Sequence, residues 1–90
     1  MKIVLSYEFK KQLTNIIEYI GKDKKTAAKN FKNELQFKIS QLVNFPMMYR
    51  KSNYYDNENI RDLTYKRYTV IYEIQENTIV ILDIFKWMDK

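Results

Sequence analysis

The side chains that could carry chemistry in this sequence are cations and tyrosines in its second half. The chain has no His and no Cys, which excludes Ser-His-Asp triads, Cys-His pairs and zinc sites of the usual composition. With Gly21 as its single glycine, it has no glycine-rich loop for a nucleotide phosphate. Lys, Arg and Tyr side chains can bind phosphates, stabilise developing negative charge and, in a shifted environment, move protons. The candidates are Arg50, Lys51, Arg61, Tyr65, Lys66, Arg67 and Lys86.

Carboxylates are weaker candidates for chemistry. Asp56 and Glu58 share a polar segment, but two carboxylates without a third anionic neighbour are far more often solvated than metal-bound. Asp62 and Asp83 could act as a catalytic pair, yet the polar face of an alternating strand explains each of them. The sequence therefore predicts no metal site and no small-molecule cofactor.

The net charge of +5 belongs to the first half of the chain. Residues 1–45 carry nine Lys against four acidic residues, whereas residues 46–90 carry seven of each sign. Excess positive charge favours nucleic acid or an acidic protein segment as partner, although solvation of outer helix faces also explains these lysines. Ninety residues hold one core, so we expect a single domain, 1–90. Without Cys, a signal-peptide core or a membrane-length apolar run, we expect a cytoplasmic protein with no membrane contact.

A strand and two helices are predicted for the first half. Residues 3–5 form an apolar run suited to a buried strand, and Ser6 follows as the N-cap of a helix. Gly21 should end this helix, Asp23 should cap a second one, and Pro46 should end that one. With two or three residues between them, the helices should form an antiparallel hairpin. The helical stripes are Phe9, Leu13, Ile16, Ile17 and Ile20, then Ala28, Phe31, Leu35, Ile39 and Leu42.

Three strands are predicted for the second half, after a polar surface loop over residues 47–59. A strand over about 60–65 precedes residues 68–74, whose alternation is typical of a half-buried strand. The third strand, 79–87, is apolar on both faces and should lie inside the sheet. A tight turn at Glu76-Asn77, with Asn in the left-handed conformation, should join the last two strands. The fold class is α+β: an N-terminal strand, a two-helix antiparallel hairpin and a three-stranded antiparallel meander, with the helices packed on one sheet.

This order of elements, together with several short motifs, resembles the RelE/ParE superfamily of bacterial toxins almost end to end. The most specific motif is an Arg followed seven residues later by Tyr-x-x-x-Tyr and then a hydrophobic terminal strand. The segments that carry the resemblance are Leu5-Ser6, Phe45-Pro46, Arg61-Asp62-Leu63, Tyr68-Thr69-Val70-Ile71-Tyr72 and Ile79-Val80-Ile81-Leu82-Asp83-Ile84.

The resemblance implies the toxin of a type II toxin–antitoxin pair, held inactive by a cognate antitoxin. RelE-like members cleave mRNA on the ribosome, whereas ParE-like members bind and poison DNA gyrase. For a nuclease, the resemblance assigns Arg61 to phosphate stabilisation, Lys86 to phosphate contact or proton transfer, and Arg50 or Lys51 to the RNA backbone. Tyr65, Lys66 and Arg67 would add to RNA or target binding. A fold of this type without toxicity is a further alternative.

The end of the last strand favours the gyrase interpretation. Catalytic RelE-like toxins usually present a Tyr or His there, and this chain has Lys86-Trp87-Met88-Asp89-Lys90. The balanced charge of residues 46–90 also gives little of the electrostatic footprint of an RNA-binding cleft. Trp87 either caps the core or anchors a target. Tyr54 and Tyr55, in the polar loop, are candidate contacts with the antitoxin or the target.

Overall fold

The computed structural model describes residues 1–86, which form two helices and a four-stranded sheet. The chain order is a strand, two helices and three further strands, as the sequence predicts. The sheet order is β1-β4-β3-β2, with β1 parallel to β4 and the other neighbours antiparallel. The elements are β1 Lys2–Leu5, α1 Tyr7–Asp23, α2 Lys25–Gln41, β2 Ile60–Tyr65, β3 Tyr68–Ile74 and β4 Thr78–Lys86.

Ser6 caps α1, as predicted, and also ties the start of the helix to the sheet. Its Oγ accepts a hydrogen bond from the N–H of Phe9 (3.0 Å), which has no partner inside the helix. The same hydroxyl donates to the carbonyl of Leu82 on β4 (2.7 Å). The link between strand and helix is therefore held at a single residue.

The predicted boundary between the two helices is wrong by a few residues. α1 continues through Gly21 to Asp23, and the break occurs at Lys24, whose φ of −154° and ψ of 114° are extended. Lys24 is the single linking residue, and no side chain caps α2, so neither the glycine stop nor the Asp23 cap is present. Gly21 lies inside α1, and a Cβ there would lie 3.6 Å from that of Ala28, an ordinary contact between the two helices.

The end of α2 also differs from the prediction. The helix stops at Gln41 and continues as a turn, in which the N–H of Phe45 donates to the carbonyl of Gln41 (3.0 Å). Pro46 therefore lies beyond the helix and does not end it. Leu42, the first residue after α2, is fully buried in the core.

The core lies between the helices and one face of the sheet. The apolar stripes of both helices pack onto alternating residues of β2, β3 and β4, as their periodicity predicts. Neither helix of residues 1–86 is long and apolar enough to cross a membrane. The buried members of the core are Phe9, Phe31, Leu35, Ile39, Leu42, Leu63, Tyr65, Val70, Tyr72, Ile79, Ile81 and Ile84.

Of the predictions for β4 and β1, one is confirmed and the other is wrong. β4 lies between β1 and β3, which confirms that the strand with two apolar faces is internal. β1 is the opposite of the predicted buried strand, because it forms an edge and its Val4 and Leu5 side chains are about 40% exposed. Three apolar residues in a row do not distinguish an edge strand from a central one.

β3 is buried on both faces, although alternation predicted a half-buried strand. Thr69 and Ile71, on the face away from the helices, are 3% and 1% exposed. The predicted surface loop covers this face: the Tyr54 ring contacts that of Phe85 on β4, with centroids 5.1 Å apart, and Thr69 pairs with Phe85 in the sheet. A loop that crosses the sheet supplies the burial that the strand pattern does not show.

The left-handed residue lies in a different hairpin turn from the one that the sequence predicts. β3 and β4 are joined at Gln75–Asn77, where the N–H of Gln75 donates to the carbonyl of Thr78 (2.8 Å), so the predicted turn is present. Its Asn77 does not adopt the left-handed conformation. In residues 1–86 that conformation occurs at Lys66, with φ of 55°, in the two-residue turn between β2 and β3.

Candidate functional site

Arg61 lies on β2 with its side chain on the helix side of the sheet, beneath the segment that follows α2. Its Nη1 donates to the backbone carbonyl of Tyr49 (2.8 Å), and its Nε is buried without a hydrogen-bond partner among residues 1–86. Directly opposite on β3 is Tyr72, which is fully buried and donates its hydroxyl proton to the carbonyl of Pro46 (2.7 Å). Arg61 and Tyr72 therefore hold the backbone of residues 46–49 onto the sheet.

Tyr72 and the nearby Tyr49 are held in their protonated form. Burial raises the pKa of Tyr72 to about 12, and burial also raises the pKa of Tyr49. The Tyr49 ring lies edge-on to that of Tyr72, with centroids 6.5 Å apart. With a pKa of about 12, roughly one Tyr72 phenol in 10⁵ is ionised at pH 7, so Tyr72 is poorly suited to act as a general base.

Tyr65 and Lys66 meet two residues of α2 that the sequence did not single out. The Tyr65 hydroxyl donates to Oε1 of Glu34, and the Lys66 ammonium lies 3.7 Å from the same oxygen. Lys38 and Lys66 place their ammonium groups 5.7 and 5.4 Å from the centre of the Tyr65 ring. Burial, followed by the bond to Glu34, raises the pKa of Tyr65 to about 12, and the Tyr65 hydroxyl is the main group that lowers the pKa of Glu34.

Lys86 lies at the other end of the sheet from Arg61. Lys86 pairs with Tyr68 and Arg61 pairs with Tyr72, and the two cations lie on the two strands that flank β3. Their positions are therefore four residues apart along β3, or roughly 13 Å. The structure does not bring these two predicted catalytic residues together. Lys86 instead lines a cleft of about 690 Å³ between α1 and β4, together with Glu8 and Asp83.

Arg50 and Lys51 lie beside the β2 edge of the sheet, and the loop continues from there to Tyr54, which packs on β4, and Tyr55. Lys51 pairs with Arg61 in a single antiparallel bridge, and the N–H of Asp62 donates to the carbonyl of Arg50 (3.2 Å). The Arg50 and Lys51 side chains are exposed, and the Lys51 ammonium lies 3.5 Å from a carboxylate oxygen of Asp56.

The two loop tyrosines are partly exposed. Tyr54 is 38% and Tyr55 is 44% exposed, and the Tyr54 ring packs on Phe85. They therefore remain available to a partner, but on a loop that is packed on the sheet.

Asp62 is a residue whose importance the sequence did not reveal. It is 1% exposed, on the sheet face away from the helices, where it flanks Ile71 opposite Asp83 in the strand register. One carboxylate oxygen accepts from the N–H of Asn53 (3.0 Å), and the other has no partner among the described residues. An alternating strand pattern predicts a solvated Asp at this position, and only the returning loop makes it buried.

Two further predicted residues complete the set. Arg67 is exposed in the β2–β3 turn, next to Lys66. Trp87 lies outside the described residues. Within residues 1–86, no three His, Cys, Asp or Glu side chains converge where a metal ion could bind. The structure thus gathers Tyr65, Lys66 and Lys38 around Glu34, and leaves the remaining cations in separate places.

Comparison with known proteins gives a family and a fold. The family model described as the ParE toxin of the type II toxin–antitoxin system parDE matches residues 3–87. Among solved structures, a chain of the chromosomal ParDE TA system from P. aeruginosa superposes with a TM-score of 0.77, covering 96% of this chain and 95% of that one at 18% sequence identity. No curated protein matches the sequence.

Proposed function

Because the chain belongs to the family of ParE toxins of type II toxin–antitoxin systems, we propose that it arrests growth by inhibiting DNA gyrase. In this proposal the protein acts in the cytoplasm and is neutralised by a cognate antitoxin that binds over its surface. The toxin is a binding inhibitor and does not itself cut RNA.

The separation of Arg61 from Lys86 is the observation that carries this proposal. Cleavage of RNA by its own 2′-hydroxyl needs a base, an acid and cations around one phosphate. Arg61 instead binds the Tyr49 carbonyl, and Lys86 lies roughly 13 Å further along the sheet. The phenol of Tyr72, opposite Arg61 on β3, has a pKa of about 12 and donates to a backbone carbonyl. A surface that binds a protein target needs none of these groups to converge.

A ribosome-dependent mRNA endonuclease is the second candidate, and the cleft beside Lys86 favours it. There Lys86 and Glu8 line one cleft, and these are side-chain types that can bind a phosphate and transfer a proton. In that mechanism, Lys86 would contact the phosphate. Arg61 would act by holding the segment before β2 in place.

Induction of the gene alone and together with the adjacent reading frame tests for a toxin. We expect growth arrest in the first case and rescue of growth in the second. Normal growth while the protein accumulates would show that it shares the fold of these toxins without being toxic. Purified protein then separates the two mechanisms. Inhibited supercoiling with trapped gyrase–DNA cleavage complexes supports the proposal, whereas cuts at codon positions in translated mRNA without an effect on gyrase would overturn it.

Variants at Lys86 make the distinction sharper, with Lys22→Ala on the last turn of α1 as a matched control. If the protein inhibits gyrase and does not cut RNA, neither the wild type nor Lys86→Ala should cleave mRNA. If mRNA is cut, Lys86→Ala should reduce cutting about 100-fold or more, while Lys22→Ala leaves it unchanged.

Tyr55→Ala tests the loop contact: we expect weaker binding of the antitoxin or the target with no change in thermal stability, since Tyr55 is 44% exposed.

A further inference from the structure

Three large apolar side chains protrude into solvent from the segment after α2. Phe45 is 60%, Met47 is 63% and Met48 is 55% exposed, although Phe and Met are among the residues that proteins most often bury. Single exposed apolar residues are ordinary, but three of them within four positions of the chain form a patch. Exposed apolar patches mark sites of interaction with other proteins. We call these three residues the apolar patch.

The apolar patch lies in the longest uncharged stretch of the sequence. Residues 39–49 contain no Asp, Glu, Lys or Arg, in a chain in which 30% of the residues are charged. Two cations, Lys38 and Arg50, bound this stretch, and both reach solvent. Phe, Met and Arg are enriched in protein interfaces, whereas acidic residues are depleted there. The composition therefore favours an apolar contact with a partner that carries carboxylates around it.

The backbone beneath the apolar patch is fixed to the sheet. The hydroxyl of Tyr72 donates to the carbonyl of Pro46 (2.7 Å), and Nη1 of Arg61 donates to the carbonyl of Tyr49 (2.8 Å), so the two methionines lie between two anchored residues. The N–H of Met48 donates to the carbonyl of Phe45 (3.2 Å) and closes a turn. A segment held in this way is preorganised, which lowers the entropic cost of binding through its side chains.

These hydrogen bonds also decide the kind of partner. The carbonyls of Phe45, Pro46 and Tyr49 and the N–H of Met48 are used within the turn or by the sheet. Residues 45–49 therefore do not present the row of free backbone groups that an added strand requires. What they present is a set of protruding apolar side chains. Their complement is a preformed apolar pocket, which a folded protein supplies and an extended segment does not.

We propose that the apolar patch is the contact of this protein with DNA gyrase, and that it enters an apolar pocket of the folded enzyme with carboxylates at its rim. This inference rests on the proposed function, because it takes gyrase as the target. Arg61 and Tyr72 are then positioning residues, which act by holding the turn and do not touch the target. A second copy of the chain is a poorer occupant, since two protruding turns do not enclose each other and both are bounded by cations.

Inhibition of supercoiling by purified protein tests the apolar patch. Phe45→Ala/Met47→Ala should raise the concentration for half-inhibition of gyrase about 30-fold or more, because a few buried anchors carry most of the binding energy of an interface. Tyr7→Ala, on the first turn of α1, is the matched control. It removes an aromatic side chain that is 79% exposed and should change inhibition less than about twofold. Thermal unfolding should be the same for both variants and the wild type, because all three side chains are exposed.

The outcomes separate this inference from the proposed function. If wild type and double variant inhibit gyrase equally, the apolar patch is not the contact, while the proposed function stands. If the wild type has no effect on gyrase, the proposed function fails, and this inference fails with it. Binding to the product of the adjacent reading frame should be unchanged in the double variant. Loss of that binding with unchanged inhibition would identify the antitoxin as the occupant, and loss of self-association with unchanged inhibition would identify a second copy; each overturns the proposal.

Charge reversal at Arg50 tests the acidic rim of the pocket. Arg50→Glu should weaken inhibition of gyrase about tenfold at low ionic strength and less at high ionic strength, because salt screens the repulsion between carboxylates. Lys22→Glu, at the end of α1, is the matched control for the change in net charge and should alter inhibition less than about twofold. Equal inhibition by Arg50→Glu and Lys22→Glu at low salt would overturn the acidic rim.

Discussion

Arg61 and Tyr72 face each other across β2 and β3, and each forms a hydrogen bond with the backbone of the segment after α2. At the scale of single residues, these contacts explain both side chains without any reaction. A buried polar group without a partner is costly, and the Pro46 and Tyr49 carbonyls supply partners for the Tyr72 hydroxyl and for Nη1 of Arg61, whereas Nε of Arg61 has none among residues 1–86. In this protein, Arg61 and the second tyrosine of the motif, Tyr72, therefore hold residues 46–49 against the sheet.

Tyr72→Phe tests this tether. The substitution keeps the ring and removes the bond to the Pro46 carbonyl, which is left without this partner. We expect the free energy of unfolding in urea at pH 7 to fall by about 1–2 kcal/mol. Tyr19→Phe is the matched control, since Tyr19 is 68% exposed, and it should change stability by less than about 0.5 kcal/mol.

The same variant should change the response to alkaline pH. The pKa of Tyr72 is about 12 in the folded protein, against about 10 in the unfolded chain, so the buried phenol stabilises the fold fully below pH 10. This contribution is lost as pH rises from 10 to 12, and it is on the order of 1–3 kcal/mol. Tyr72→Phe should therefore lose less stability than the wild type over that range. Parallel pH profiles for the two proteins would contradict the raised pKa.

At the scale of elements, the turns and helix ends are where the structure departs from local sequence preferences. The helix break falls at Lys24 and not at Gly21, and the left-handed residue is Lys66 and not Asn77. Lysine in a left-handed conformation lacks the short polar side chain that eases it. The contacts of Lys66 with Glu34 and the Tyr65 ring give a physical reason for a lysine there.

Glycine substitutions in the β2–β3 turn test this interpretation. Lys66→Gly removes a left-handed strain of about 1 kcal/mol and loses an exposed ion pair and an exposed contact with the Tyr65 ring, each worth less than about 1 kcal/mol, so thermal stability should change little. Arg67→Gly, next to it, has no positive φ to relieve and should lower stability by about 0.5–1 kcal/mol. The measurement is thermal unfolding by circular dichroism, and a larger loss for Lys66→Gly than for Arg67→Gly would contradict it.

At the scale of the whole molecule, the sheet has helices on one face and a loop on the other. The helices bury Leu63, Val70 and Tyr72, and the loop buries Asp62 and Thr69 on the opposite face. Both layers depend on the same three antiparallel strands. We therefore expect residues 1–90 to unfold as one cooperative unit.

Coincidence of two spectroscopic transitions tests the single core. Far-UV circular dichroism reports mainly on the helices, and near-UV circular dichroism reports on the packed tyrosines. Their urea transitions should superpose in the wild type. In Leu42→Ala, which empties a fully buried position beside α2, both should shift together by about 2–5 kcal/mol. Separate midpoints for the two signals would show that the helices and the sheet unfold independently.

The sequence by itself determined the kind and order of the elements. Periodicity of 3.6 and of 2 placed both helices and the three C-terminal strands, Ser6 marked the start of α1, and the apolar β4 was correctly predicted as internal. These features are encoded within a few neighbouring residues, because helical bonds, caps and alternating faces involve short separations along the chain.

Only the tertiary structure decided which groups are buried and which cations converge. The Tyr72 hydroxyl meets Pro46, 26 residues away, Tyr65 meets Glu34, 31 residues away, and Ser6 meets Leu82, 76 residues away. Burial of Asp62 and exposure of β1 likewise depend on a returning loop and on a sheet order that no local pattern encodes. Contacts between residues distant in sequence are selected by packing of the whole chain, and they decided where the candidate site residues lie.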